Sequence, residues 1–357
     1  MKYFDEMAKA GHEQLSFQYD KATGLKALIA IHDTTLGPAL GGCRMWPYEK
    51  EEDAVYDALR LSRGMTYKSA ASGDNWGGGK SVIWGDPKTD KSEALFRAFG
   101  RMVQCFGGRF ITGTDVGTVG SDFVWSKMET DYLVALPAEH GGSGDSSILT
   151  AFGVWRGIKA AAKEVWGSDS LAGKTVAVQG VGKVGHHLVD HLIDDEGAQV
   201  VICDINPDNV KRVTDKHPEV KVVSPQDIFA VDCDIFSPNA LGAVLNDETI
   251  PVLKCRIVAG AANNVLKEPR HGDMLFERGI LYAPDYVINA GGLIQVADEL
   301  MGYDPARAKR KVGNIYNALL AIFAIAKRDN IPTYRAADIL VEERISKLGA
   351  IARIYSA

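Results

Sequence analysis

The sequence predicts an α/β protein of two domains, with C-terminal helices that return to the first. Three observations carry this expectation. At 357 residues the chain is long for a single core. Strand-like and helix-like stretches alternate along most of its length, the pattern of a parallel sheet covered by helices. Between Gly141 and Ser147 the composition turns small and polar, GGSGDSS, as at a domain boundary. The expected bounds are 1–140, 141–330 and a returning tail over 331–357.

In the first domain, Leu25 to His32 (LKALIAIH) reads as a strand running into a turn-rich loop, DTTLGPALGGCRMWPY. A helix follows, with Ala54, Ala58, Leu61 and Met65 on one apolar stripe. The next member of that stripe is Lys68. Beyond it come three glycines and Lys80, which opens a strand, SVIW. The helix KSEALFRAFGRMVQCF stops at Gly107 and Gly108, and GRFITGTDVG is a short strand spilling into a loop that carries Asp115. A lysine in low dielectric loses stability as the cation or binds an anion. Taken alone, the stretch fits either a reactive lysine pair or a Lys68 that snorkels past the stripe edge beside an ordinary loop lysine at 80.

The second domain opens with a helix, TAFGVWRGIKAAAKEVWG, then a buried strand at 174–179. Gly180, Gly182 and Gly185 complete G-x-G-x-x-G, and Val181, Val184, Leu188 and Leu192 give helical period directly after the strand. A second strand, Gln199 to Cys203, ends at Asp204. Strand, glycine turn, helix and a following acid together are specific for a Rossmann dinucleotide site. The glycine turn brings backbone amides to a pyrophosphate at the helix N-terminus. Asp204 is expected to bond ribose hydroxyls and disfavour a 2′-phosphate, so NAD is preferred, although Lys211 and Arg212 stand nearby; a turn or N-cap role is the alternative. Three more strands, CDIFSP, RIVAGAAN and GILYAPDYVIN, end in Asn239-Ala240, Asn263-Asn264 and Asn289-Ala290. Ligands of open parallel sheets lie beyond such strand ends. Any one asparagine is more often a turn residue than a ligand, and it is three such endings in one domain that favour a site. Helices near 305–329 and 333–348 close the chain, and part of this tail is expected to tie the two domains across a cleft.

The formal net charge of −6 argues against nucleic acid and anionic membrane as partners. Five cysteines without C-x-x-C spacing suit reduced thiols. No membrane-spanning run or signal peptide is evident, so a cytoplasmic protein is expected. Cysteine and histidine spacing offers no metal site.

The motifs LGPALGGCRMWPY, LRLSRGMTYK, GGGKSVI, GRFITGTDVGT, GGSGDSS, VAVQGVGKVG, IVAGAANN and APDYVINAGGLIQVADEL closely resemble the amino-acid dehydrogenases acting on glutamate, leucine, phenylalanine and valine. The resemblance runs over nearly the whole chain. It implies an N-terminal substrate domain and a C-terminal Rossmann domain facing a cleft, and NAD-dependent oxidative deamination of an L-amino acid to a 2-oxo acid and ammonium. By motif position it implies that Lys68 binds the substrate carboxylate. Lys80 is then the general acid/base at the Cα centre, and Asp115 handles the amino-group proton. Leu40, Gly41, Gly42, Gly113, Asn263, Asn289 and Leu293 would line the substrate site. Gly180, Val181, Gly182, Lys183, Val184, Gly185, Asp204, Thr150, Asn239, Ala240 and Asn263 would hold the cofactor. A homo-oligomer is also implied. The chemistry suits these types: a carboxylate anchor must be cationic, and a lysine serves as base when desolvated or beside another cation.

Gly113, Leu293 and GGSGDSS lean toward phenylalanine, with leucine-type or tryptophan-type relatives as alternatives. Asp74, Trp76, Asn239 and Gly120-Ser121 depart from the family pattern. Asp74 reads as neutral drift, or as an acid that raises a lysine's pKa and favours a cationic or hydroxylated substrate. A non-catalytic nucleotide sensor would have lost Lys68, Lys80 or Asp115, and all three are present. A hydroxy-acid dehydrogenase would want a histidine acid/base, which no histidine here is placed to be.

Overall fold

A computed structural model describes residues 2–355, with side chains through residue 351. The chain divides into two compact units. Unit 1 comprises Met1–Gly144, Val296–Asp304 and Val341–Ala357, and unit 2 comprises Asp145–Gln295 and Pro305–Leu340.

Unit 1 holds a five-stranded sheet of β1 (Gln14–Asp20), β2 (Leu25–Asp33), β3 (Ala39–Trp46), β4 (Gly77–Trp84) and β5 (Phe110–Thr114), in the order β1-β2-β4-β3-β5. β2 runs antiparallel to β1 and β4, while β4, β3 and β5 are parallel. Its helices are α1 (Tyr3–Ala10), α2 (Glu51–Ala71), α3 (Glu93–Gln104) and α4 (Gly120–Ser126). The strand period of two explains why β2 reads as a continuous apolar run. Leu25, Ala27, Ile29 and Ile31 pack in a core with Phe96, Phe99 and Phe123, while Leu28 and Ala30 pack with Ala54, Val55 and Leu59 of α2.

Three expectations are corrected here. The stretch read as a loop around Gly41 and Gly42 is strand β3, and Lys80 sits inside β4 rather than opening it, because the preceding glycines are themselves strand. The apolar stripe on α2 leaves the core after Ala58. Ser62 and Thr66 are buried instead, and Leu61, Met65 and Lys68 are half-buried. The reason is close approach: a Cβ on Gly78 would lie 2.1 Å from Thr66 Oγ1 and 2.3 Å from Ser62 O. α1 and β1 were not anticipated; the strand QLSFQYD is polar and only partly buried.

Unit 2 holds a parallel sheet of β6 (Thr175–Gln179), β7 (Gln199–Cys203), β8 (Lys221–Val222), β9 (Ile235–Pro238), β10 (Ile257–Val258) and β11 (Leu281–Tyr282). The order is β11-β10-β9-β6-β7-β8, so the connections reverse between β6 and β9. Its helices begin with α5 (Ser147–Trp166), α6 (Gly185–Asp190) continued by a π turn at His191–Asp195, α7 (Pro207–Lys216), α8 (Arg270–Glu277) and α9 (Asp285–Ile288). Then follow α10 (Gly291–Asp298), α11 (Pro305–Gly313), α12 (Ile315–Asp329) and α13 (Thr333–Tyr355), with unit boundaries falling inside α10 and α13. The strand expected over GILYAPDYVIN is two residues long. Pro284 ends it and DYVI is helical, so Asn289 caps a helix rather than a strand. The helix expected over 305–329 divides at Asn314, whose N–H turns to Lys311 O. All five cysteines are free, and among the described residues no helix is long and apolar enough to cross a membrane.

Candidate active site

Lys80 lies in the middle of β4, paired with Ala30 of β2, and is 4% exposed. A cation at that depth requires a counter-charge. Asp115, one residue past β5, supplies it: Lys80 Nζ lies 2.9 Å from Asp115 Oδ2. Arg44 Nε, from β3, lies 2.9 Å from the same oxygen. Burial pushes the Asp115 carboxyl up, but Lys80 and Arg44 outweigh it and hold the group below the usual carboxylate range. The turn is fixed by Thr118, whose Oγ1 accepts from Asp115 N at 3.0 Å and donates to Cys43 O at 2.8 Å. Gly42 lets this turn close on β3, since a Cβ there would lie 2.5 Å from Thr114 O and 3.0 Å from Asp115 Cβ. Leu40 and Gly41 are buried beside it.

Lys68, half-buried on α2, belongs to the same unit. The helix that carries it is held from two sides. His32 stands at a register shift in β2 opposite Gly78 and Gly79, where its Nδ1 meets Thr66 Oγ1 at 2.8 Å and its Nε2 meets Ala10 O at 2.9 Å. Burial and the nearby His12 ring push the His32 imidazole down to about 4. From the other side, Tyr67 donates to Glu342 at 2.8 Å, and Arg344 donates to the carbonyls of Ala70, Gly73 and Asp74. Arg344 thereby caps α2. Asp74 is buried on this turn, and its charge supports the Arg344 cation against the burial that lowers it. Gly113 does not open space. A Cβ there would meet Val134 O at 2.8 Å and Ala135 Cβ at 3.3 Å, so the glycine serves close backbone packing.

In unit 2 the three glycines have three tasks. Gly180 has φ +88° and abuts Ala240; a Cβ on Gly185 would lie 2.0 Å from Gly180 O; Gly182 has open space on its Cβ side. Asp204 accepts from Val181 N at 2.9 Å and from Asn206 N at 2.8 Å, which ties the glycine turn to the end of β7. Arg212 donates to Val181 O at 2.7 Å, and Lys211 is paired with Asp215. Asn239 joins two strand ends, donating to Ser237 O and accepting from Ala261 N. Asn289 Nδ2 donates to Ala261 O at 3.0 Å and to Asn263 Oδ1 at 2.7 Å. Thr150 donates to Ser146 O on the first turn of α5, while Lys183 is exposed and Val184 and Leu293 are half-buried. Among the described residues, Ser147 Oγ, Gln179 Oε1 and Asn289 Oδ1 are buried without a hydrogen-bond partner, as is His271 Nε2 on α8. Gln179 closes β6, at the switch point where ligands of such sheets bind, and its open buried oxygen is available to a ligand there. The residues present therefore fit a dinucleotide.

Comparison with known proteins decides the family. Residues 12–132 match the Glu/Leu/Phe/Val dehydrogenase dimerisation domain, and residues 141–208 and 206–303 match Glutamate/Leucine/Phenylalanine/Valine dehydrogenase. The chain belongs to the Glu/Leu/Phe/Val dehydrogenase family. It is 59% identical over 348 residues to the leucine dehydrogenase of Geobacillus stearothermophilus, covering 98% of this chain and 94% of that protein. It is 50% identical over 357 residues to the phenylalanine dehydrogenase of Caldalkalibacillus thermarum, covering 99% and 96%. The crystal structure of L-tryptophan dehydrogenase from Nostoc punctiforme superposes with a TM-score of 0.88 at 47% identity, covering 97% and 99%.

As a Glu/Leu/Phe/Val dehydrogenase, the protein is an amino-acid dehydrogenase, an oxidoreductase that uses a nicotinamide cofactor. Sequence reasoning missed Arg44, Asp57, Tyr48, Ser147 and Gln179. Arg44 carried a signal, a guanidinium two residues beyond Gly42 in a strand of small and apolar residues; Asp57 carried none. One group among the described residues could hold a metal, Asp190, Asp194 and His217. The Lys216 ammonium already lies 2.7 Å from Asp190 and 3.3 Å from Asp194 and supplies its positive charge.

Proposed function

We propose that this enzyme catalyses the reversible NAD-dependent oxidative deamination of a branched-chain L-amino acid, with L-leucine as the preferred substrate. The observation that carries the substrate is the 59% identity, over 98% of the chain, to a leucine dehydrogenase, against 50% to a phenylalanine and 47% to a tryptophan dehydrogenase. Gly113, the main residue argument for an aromatic substrate, loses its force because its missing Cβ faces Val134 and Ala135.

Lys68 holds the substrate carboxylate and remains cationic. Asp115 takes the proton from the substrate ammonium, which leaves an amine able to release hydride from Cα. NAD, when bound, supplies the hydride acceptor. Lys80, having given up its own proton to solvent (the proton released overall), then removes a proton from the water that adds to the substrate imine carbon and returns it to the departing nitrogen; the proton held by Asp115 restores the Lys80 ammonium. Amino acid, NAD⁺ and water become 2-oxo acid, ammonium, NADH and a proton. Burial of Lys80 and Asp115 strengthens every charge interaction in these steps. Preference for NAD follows from Asp204, whose carboxylate repels a 2′-phosphate, while Arg212 and Lys211 are already bonded elsewhere. Asn239, Ala240, Asn263 and Asn289 border the nicotinamide half, with Thr150 beside them. The family's dimerisation region supports a homo-oligomer.

The test is kcat/KM for L-leucine, L-valine, L-phenylalanine and L-tryptophan, followed by NADH absorbance, with NAD and NADP in parallel. Leucine is expected to lead with NAD. A phenylalanine or tryptophan preference above tenfold would reject the substrate, and equal use of NADP would reject the role of Asp204.

A further inference from the structure

The charges around Asp115 form a chain that runs out of the proposed reacting centre. Lys80 Nζ and Arg44 Nε both contact Asp115 Oδ2 at 2.9 Å. Arg44 Nη1 reaches on to Asp57 Oδ2 at 2.6 Å, where the Tyr48 hydroxyl donates at 2.7 Å. Arg60 Nη2 holds Asp57 Oδ1 at 3.1 Å. The signs alternate along the chain, and its two cations Lys80 and Arg44 share one carboxylate oxygen. Asp57 is the far anchor: burial pushes its carboxyl up, but Tyr48 and Arg44 draw it below the usual range.

Two donors on one oxygen fix a carboxylate's rotation. Among the described residues no donor is seen at Asp115 Oδ1. A planar guanidinium spans two carboxylates in fixed geometry, which an ammonium on a flexible stem does not.

We propose that Arg44 is the positioning residue of Asp115: with Lys80 it pins Oδ2, and Oδ1 is thereby the oxygen presented to the substrate's amino-group proton. This rests on the role proposed above for Asp115. Arg44 touches neither substrate nor cofactor in this reading and acts through the carboxylate. Besides Arg44, the groups acting with this carboxylate are Lys80 on β4, which touches it, and the Cys43 thiol on β3, which feels its charge and that of Asp122 on α4. None of these replaces the Arg44 contact to Oδ2.

The experiment compares pH profiles of kcat/KM for oxidative deamination in the wild type, Arg44→Met, Arg44→Lys, Asp57→Asn and Asp115→Asn. The kcat/KM profile reports groups of the free enzyme. Arg44→Met removes a cation beside both Asp115 and Lys80, the two groups that must be unprotonated, so the acid limb is expected to move up by about one pH unit. Arg44→Lys restores the charge but not the span, so the limb returns while kcat stays lowered, roughly tenfold or more. Asp57→Asn frees the far end of Arg44 and is expected to lower kcat with the limb in place; it serves as the test where Arg44→Met fails to fold. A lowered kcat with an unmoved limb in Arg44→Met, or an unchanged kcat in Asp57→Asn, would overturn the proposal. Asp115→Asn separates the two readings. If it keeps wild-type rate and profile, the role of Asp115 itself falls; if it abolishes activity while Arg44→Met leaves the limb in place, only the role of Arg44 does.

Discussion

The two units solve the same problem in opposite ways. In unit 1 the buried charges are already paired: Lys80, Asp115, Arg44 and Asp57 form a closed chain of contacts between 2.6 and 2.9 Å. In unit 2 open atoms gather at strand and helix ends: among the described residues Ser147 Oγ, Gln179 Oε1 and Asn289 Oδ1 have no partner, whereas the open atoms of unit 1, His12 Nδ1 and Ser69 Oγ, lie outside its charged chain. An uncompensated buried charge costs far more than an uncompensated buried dipole. Under the proposed roles, charges that act on substrate are therefore satisfied before substrate arrives, while neutral donors and acceptors can wait for a ligand.

Breaking the closed chain should cost most. Lys80→Ala is expected to lower kcat by roughly 10²–10⁴, the usual worth of a general acid/base, with a smaller change in KM. Steady-state kinetics in both directions check it, and a change confined to KM would exchange the roles of the two lysines. Lys68→Ala should mainly raise the amino-acid KM, by about ten- to a hundredfold, the value of a charge-assisted contact.

The scaffold under Lys68 should respond to acid. The folded imidazole of His32 lies at about 4 against an ordinary 6.5, so the unfolded chain binds more protons between those values. The neutral histidine's stabilisation is complete above 6.5, falls as pH drops from 6.5 toward 4, and is lost below. His12 is lowered in the same direction by burial. Melting temperature against pH should decline through this window, and His32→Gln should flatten the decline; an unchanged slope would clear His32.

The open side should give smaller effects. Asn289→Ala is expected to weaken NADH binding several-fold, about 1 kcal/mol, measured by NADH fluorescence. An unchanged Kd would assign its bare oxygen to packing. The least effect is expected from Lys211→Ala. Its exposed pair with Asp215 is solvated, so NAD affinity should stay within twofold.

The contrast also marks what the sequence reveals. Unit 2 was legible because its site is local: strand, Gly180-x-Gly182-x-x-Gly185, helix and Asp204 follow in order, and the physics of each step shows within about 30 residues. Unit 1 was legible only in part. Lys68, Lys80 and Asp115 are placed by family motif, and from spacing alone they are three unconnected charges. Arg44 and Asp115 are 71 positions apart and meet through one parallel strand pairing, β3 with β5. The glycines misled as well. Gly77 to Gly79 and Gly41-Gly42 read as loop because glycine is poor in strands. In the strands they occupy positions where a neighbouring backbone, or for Gly79 the Phe110 ring, comes too close for any Cβ, which no local pattern records. The same blindness made Gly113 look like added room.

The capping of α2 by Glu342 and Arg344 has a consequence in time. Residues 1–144 leave the ribosome first, yet the groups that hold the Lys68 helix from behind are added some 200 residues later. The segment at 296–304, whose Glu299 binds the amides of Ala135 and Ser143, also arrives late. Domains generally fold as units during synthesis, N-terminal first. Here the unit begun first is finished last, so a nascent chain stalled before residue 342 carries every residue proposed to do chemistry and lacks the clasp that holds the Lys68 helix.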